Sequence, residues 1–122
     1  MEIENVLSLF DGMSGGQLAL KKAGVPFKNY YASEIKPHAI AVTQHNFPET
    51  IQVGDVTKLT KADLPKIDLL IGGSPCQDLT NLGQSPEGLE GSKSILFFEY
   101  VRLLKELKPK YFLLEQTNIF KE

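Results

Sequence analysis

Residues 69–77 read Leu69-Leu70-Ile71-Gly72-Gly73-Ser74-Pro75-Cys76-Gln77. An unbroken aliphatic run of this kind is the pattern of a parallel strand buried on both faces. Two glycines and a proline then end the strand and turn the chain. Cys76, the sole cysteine, therefore falls just past the carboxyl end of a strand. Open α/β sheets bind ligands and present reacting groups at that end. A thiol there acts as a nucleophile where its surroundings favour the thiolate. The plainer alternative is an inert, buried small hydrophobe, and the stretch by itself leaves both readings open.

Working outward, the same pattern recurs upstream. Residues 5–10 (Asn-Val-Leu-Ser-Leu-Phe) read as a first strand, followed by the glycine-rich turn Asp11-Gly12-Met13-Ser14-Gly15-Gly16. Residues 17–23 form a short helix with Gly24 as its C-cap. Strand, glycine loop and helix together suit a nucleotide-like ligand, because glycines admit close backbone approach and the helix start offers free N–H groups. Residues 28–35 read as a second strand ending in Glu34. An acidic residue about 20 positions beyond the glycine loop can accept ribose hydroxyls; the alternative is a solvent-facing carboxylate. Pro37 opens a helix that runs to Asn46 and stops before Pro48. Residues 50–53 make a short third strand, with Asp55 just past its end, and 58–66 a polar connection with at most one helical turn.

Downstream, residues 77–93 form a long loop rich in Gly, Ser, Asn, Gln and Pro. Loops of that length are usually functional or disordered, and its glycines would let it act as a lid. Ser94 to Leu107 is an amphipathic helix. Its stripe of Leu96, Phe97, Tyr100, Val101, Leu103 and Leu104, widened by Phe98, would cover a sheet. Residues 111–115 are a fifth strand ending in Glu115. Strands joined by crossovers, with no hairpin signal, predict an α/β fold with an open parallel sheet of about five strands. Gly12, Glu34, Asp55, Cys76 and Glu115 then share one edge of it.

The chain of 122 residues, 42% hydrophobic and 23% charged, is sized and composed for one globular domain, 1–122. No apolar run approaches the ~18–20 residues that span a bilayer, and the acidic start resembles no signal peptide. One cysteine excludes an internal disulfide and gives no zinc cluster. A cytoplasmic protein without a membrane partner is the expectation. The net charge of −2 lacks the basic face that a self-sufficient nucleic-acid binder shows.

Taken together, Phe10-x-Gly12 with Gly15-Gly16, Ala32-Ser33-Glu34, Gly54-Asp55-Val56 and Gly73-Ser74-Pro75-Cys76-Gln77 resemble the amino-terminal part of C5-cytosine-specific DNA methyltransferases, nearest to phage and Dnmt3-like members. The resemblance covers essentially the whole chain. It implies a Rossmann-like, S-adenosylmethionine-dependent methyltransferase fold lacking the last strands, with S-adenosyl-L-methionine as cofactor. It further implies that Phe10 and Gly12 line the cofactor pocket, Glu34 binds the ribose, and Ile35 lies against the adenine. Asp55 would accept from the adenine amino group, with Val56, Pro75 and Leu96 packing nearby. Cys76 would be the nucleophile, presented by the Pro75 turn, and Glu115 the carboxylic acid that assists it. Two positions depart from the family pattern: Ser14 stands for a second glycine, and Gln116-Thr117 follows Glu115 where the family has Asn-Val.

The family's later motifs and target recognition domain do not occur in the sequence. The expectation is therefore a catalytic-domain fragment or subunit, inactive alone, reaching DNA through a recognition domain supplied elsewhere. The last strand would leave an open sheet edge, inviting a homodimer or a complementing chain. Two alternatives stay open: an RNA cytosine-5 methyltransferase, and a non-catalytic cofactor-binding or regulatory module.

Overall fold

The computed structural model describes residues 2–73 and 94–115. The elements run β1 (Asn5–Leu9), α1 (Gly15–Lys22), β2 (Asn29–Ser33), α2 (Pro37–Asn46), β3 (Ile51–Gln52), two 3-10 turns (Val56–Lys58 and Lys61–Asp63), β4 (Leu69–Gly73), α3 (Ser94–Leu107) and β5 (Tyr111–Glu115). The five strands form one sheet in the order β3-β2-β1-β4-β5, and every pairing is parallel. The α/β class and the five strands therefore stand as read. All strand ends of one sense share an edge, and the chain reverses its direction of travel across the sheet between β1 and β4. The crevice above that reversal is where such sheets hold ligands.

β1 is the central strand and is buried throughout. Its side chains alternate between two cores, as the period of a strand requires. Leu7 and Leu9 join Val56, Leu59, Ile67, Leu70, Tyr100 and Leu103 on the α3 side. Val6 joins Ile3, Tyr30, Ala32, Leu69 and Ile71 on the other face, where Leu20 of α1 and Val25 pack. Tyr100 fastens α3 to the sheet: its ring is buried, and its hydroxyl donates to the carbonyls of Leu113 (3.0 Å) and Leu70 (3.4 Å). Arg102, paired with Glu99 and Glu106, donates to the Val56 carbonyl (3.1 Å) and ties α3 to the first 3-10 turn.

Several boundaries differ from the sequence reading. β1 ends at Leu9 rather than at residue 10, because Phe10 takes a left-handed backbone (φ 54°) that no strand continues. α1 starts two residues early, at Gly15, and its C-cap is Ala23 rather than Gly24. Gly24 is the next residue, at φ 75°. Its N–H bonds to the Lys21 carbonyl and that of Val25 to the Leu20 carbonyl, the paired bonds of a Schellman turn. β2 and β3 are shorter than read; the 58–66 connection carries one 3-10 turn (Lys61–Asp63), as read, and a second (Val56–Lys58) precedes it. Phe98 does not widen the buried stripe of α3; it is 52% exposed and meets Phe97 edge-on. The 77–93 loop lies outside the described residues.

Candidate active site

The turn between β1 and α1 is built from alternating left-handed residues: Phe10 (φ 54°), Gly12 (φ 60°) and Ser14 (φ 68°). Glycine adopts this region freely, but Phe and Ser do so at about 1–2 kcal/mol each. The surroundings fix it. The Asp11 N–H donates to the Ser33 carbonyl (3.1 Å) and the Ser14 N–H to the Asp11 carbonyl (3.0 Å). Thr43 of α2 donates its hydroxyl to the Gly12 carbonyl (3.2 Å). A Cβ built on Gly12, Gly15 or Gly54 would meet nothing within 4 Å, so the backbone here borders open space.

Glu34 closes the turn from the β2 side. Its Oε1 accepts the Gly12 N–H at 2.7 Å, and its Oε2 accepts those of Ile35 and Lys36, both at 3.1 Å. Three of the carboxylate's roughly four lone-pair positions are thereby used. One on Oε1 remains for a ligand hydroxyl. Ile35, beside it, is 66% exposed, an apolar surface at the rim of a polar crevice.

Asp55 caps the first 3-10 turn: Oδ1 accepts from both the N–H and the hydroxyl of Thr57 at 2.9 Å. Those bonds, the backbone one foremost, hold its carboxyl below the usual aspartate range, so it is ionised at neutral pH. Neither bond uses Oδ2. Gly54 before it is also left-handed (φ 87°), and its carbonyl accepts the Ser33 hydroxyl (2.7 Å). Val56 is buried in the α3-side core, with Phe10 and Leu96 packed against the same cluster. All three side chains thus belong to one core, Val56 buried within it and Phe10 and Leu96 partly buried at its margin.

At the other end of the edge, Gly73 pairs in register with Glu115. A Cβ on Gly73 would sit 3.2 Å from Glu115 Oε1, which places this exposed carboxylate beside the exit of β4. Pro75 and Cys76 lie outside the described residues, as does Gln116-Thr117. Gly12, Glu34, Asp55 and Glu115 fall at the same sheet edge, and β4 ends there two residues before Pro75. The sequence reading missed Thr43 and Asp11. Asp11 was legible only as a turn residue, since its buried partners come from distant positions. A cleft of about 450 Å³ opens at the opposite edge, lined by Ile3, Phe27 and Asp68 among others. It gathers strand starts rather than strand ends, and Asp68 is already engaged there with the backbone N–H groups of Glu4 and Asn5.

A parallel sheet of this order, with a glycine turn after its central strand and acidic groups at the next strand ends, defines an α/β nucleotide-cofactor domain. A family model described as C-5 cytosine-specific DNA methylase matches residues 4–119. The orphan methyltransferase M.SPRI of Bacillus phage SPR is 42% identical over 115 residues, 93% of this chain and 26% of that protein. The type II methyltransferase M.NlaIV of Neisseria lactamica is 41% identical over 116 residues, 92% of this chain and 27% of that protein. Among solved structures, the Dnmt2 methyltransferase of S. pombe has a TM-score of 0.71 at 23% identity, over 98% of this chain and 35% of its own. A DNMT2 mutant of Spodoptera frugiperda has a TM-score of 0.71 at 27% identity, over 93% of this chain and 35% of its own. The chain belongs to the C-5 cytosine-specific DNA methylase family. It spans about a quarter of the length of the curated relatives it matches.

Proposed function

We propose that this chain is the cofactor-binding and nucleophile-bearing part of a DNA (cytosine-5)-methyltransferase. The observation that carries the reading is the single edge shared by Gly12, Glu34, Asp55, Glu115 and the exit of β4. S-adenosylmethionine fits the residues present. The open space beside Gly12 and Gly54 admits a ligand against the backbone, and Glu34 Oε1 retains an accepting position for a ribose hydroxyl. Exposed Ile35 offers a face to an adenine ring. Asp55 Oδ2 suits its amino group, and Phe10 and Leu96 are partly buried against the core that holds Val56. When bound, the cofactor supplies an electrophilic methyl group.

The protein's own part follows from the weakness of cytosine C5 as a nucleophile. The Cys76 thiolate, presented by Pro75, adds to C6 and makes C5 enamine-like. Glu115, protonated, donates to N3 and stabilises the charge that develops there. After C5 has taken the methyl group its proton passes to water, the N3 proton returns to the Glu115 carboxylate, and the thiolate leaves as the 5,6 double bond re-forms. The base reacts only when flipped from the stack. A chain of net charge −2 attracts phosphate poorly, so recognition of DNA falls to a further domain or partner chain. Tyr111, Phe112 and Leu113 of β5, the last strand of the described sheet, are exposed. That edge suits a complementing chain or a second copy.

The DNA reading is preferred to an RNA substrate because the family description names DNA and the relatives at about 40% identity are phage and type II methyltransferases. No helix among the described residues is long and apolar enough to cross a membrane. Titration calorimetry with S-adenosylhomocysteine tests the cofactor site. Loss of charge-assisted hydrogen bonds of ~1.5–3 kcal/mol predicts about a 10- to 100-fold weaker affinity for Glu34→Ala. Equal binding by wild type, Glu34→Ala and Asp55→Ala would place the ligand elsewhere.

A further inference from the structure

One buried carboxylate takes no part in this scheme. Asp11 is 8% exposed, and its Oδ1 accepts from the Ser8 hydroxyl (2.7 Å) and the Tyr30 hydroxyl (2.9 Å). Among the described residues its Oδ2 is buried without a hydrogen-bond partner. We infer that Asp11 is a positioning residue: anchored by Ser8 and Tyr30, it holds the 10–14 turn in the left-handed conformation that presents Gly12 and Glu34 to the cofactor. The inference rests on the reading of that turn as the cofactor site.

Three features of the structure support it. Asp11 ties three elements at once. Its N–H reaches Ser33 at the end of β2, its carbonyl takes the Ser14 N–H at the start of α1, and its side chain reaches β1 and β2. It also sits between Phe10 and Gly12, two of the three left-handed residues, so its bonds act where the backbone is under most strain. Finally, it belongs to a buried polar layer under α1 that an apolar core would not need. Gln17 donates from Nε2 to the Ser14 hydroxyl (3.1 Å) and to the Thr50 hydroxyl (2.9 Å), and all three residues are buried. Accepting from Gln17 leaves the Ser14 hydroxyl hydrogen free, and that hydroxyl stands close enough to Asp11 to favour its ionised form. Apolar packing fixes the distance of a helix from a sheet but tolerates small rotations. A satisfied polar network specifies one geometry.

Burial pushes the Asp11 carboxyl upward, and the Glu34 charge adds to this; the hydroxyls of Ser8, Ser14 and Tyr30 oppose both. The carboxylate is thus costly where it stands, and the bonds that keep it there are the ones that define the turn.

Amide hydrogen exchange and titration with S-adenosylhomocysteine, on wild type, Asp11→Ala, Tyr30→Phe and the double variant, test this. Tyr30→Phe keeps the ring against Phe27 and removes only the hydroxyl. In the ligand-free chain the Gly12 and Ser14 amides should exchange about tenfold faster in each variant, with β4 and α3 amides unchanged. Affinity should fall about tenfold for Asp11→Ala and less for Tyr30→Phe, the double variant matching Asp11→Ala because the two side chains act through one bond. Unchanged turn exchange, loosening spread evenly over the sheet, or additive losses of affinity would each overturn the inference. The local exchange response in the variants, together with a wild type that binds no S-adenosylhomocysteine, overturns the cofactor reading and leaves the anchoring of the turn standing.

Discussion

Gly72 in β4 lies directly against the Tyr100 ring of α3, and the distances there set the size of the effect of replacing it with alanine. The added Cβ would lie 3.0 Å from both Cδ2 and Cε2 of Tyr100 and 3.4 Å from the Leu9 Cβ. Comfortable carbon contacts are ~3.5–4.0 Å, so two ring atoms are overlapped by about half an ångström. The ring cannot easily yield, being 2% exposed and held by its hydroxyl to Leu113 and Leu70. Overpacking of this kind costs about 1–3 kcal/mol. Removing a glycine from a strand returns roughly 0.5–1 kcal/mol. The difference runs from about 0 to 2.5 kcal/mol, and the held ring puts the loss in the upper part of that range, about 1–2 kcal/mol, a fall in Tm of roughly 3–10 °C for a chain of this length. Thermal and urea unfolding monitored by circular dichroism measure it. Tyr100→Phe frees the ring to shift, so Gly72→Ala should cost at least ~0.5 kcal/mol less in that background. A Gly72→Ala chain as stable as wild type, or a cycle without coupling, would refute the reasoning.

Asp68 accepts the N–H groups of Asn5 and Glu4 at 3.0 and 2.9 Å, bonds that hold its carboxyl below the ordinary 3.8, the Asn5 bond foremost. Its contribution is therefore full above that value and lost as pH falls through the lower folded-state pKa. Asp68→Ala should cost about 1 kcal/mol at neutral pH and flatten the acid limb of the urea midpoint plotted against pH; an unaltered limb counts against the clamp. For Cys76, the chain joined to the remainder of its enzyme should form a covalent adduct with 5-fluorocytosine DNA, visible as a mobility shift under denaturing conditions. A Cys76→Ser variant that retains the adduct at the wild-type level excludes the nucleophile role.

The strands and the pairing of helices with crossovers were legible because their signals are local. The run at 69–73 and the stripe of α3 state their burial in consecutive or helically spaced residues. The acidic strand ends were legible for a related reason: in a parallel sheet every residue just past a strand falls at one edge, so order along the chain predicts convergence in space. What escaped was set by contacts between distant positions. Phe10 leaves the strand although it is aromatic, because the turn is bonded to Ser33 and Glu34 rather than because of its own propensity. Phe98 is different: two residues from both Leu96 and Tyr100, at about 100° per residue, it falls on the side of α3 away from the core and is exposed, which helical phase alone foretells. Glu34 reads from sequence as a ribose ligand or a solvent-facing carboxylate, yet its first role is to bind Gly12, Ile35 and Lys36. Asp55 was read only as a ligand group; the Thr57 bonds make it also a turn cap.

The central claim is that the carboxyl edge of the sheet is the cofactor site. Amide chemical-shift mapping of the isotope-labelled chain during titration with S-adenosylhomocysteine tests it most directly. Saturable shifts should concentrate at Gly12, Ile35, Asp55 and Val56, with Ile3, Phe27 and Lys28 at the opposite edge unmoved. Shifts confined to that opposite cleft, or none at saturating ligand, would contradict it.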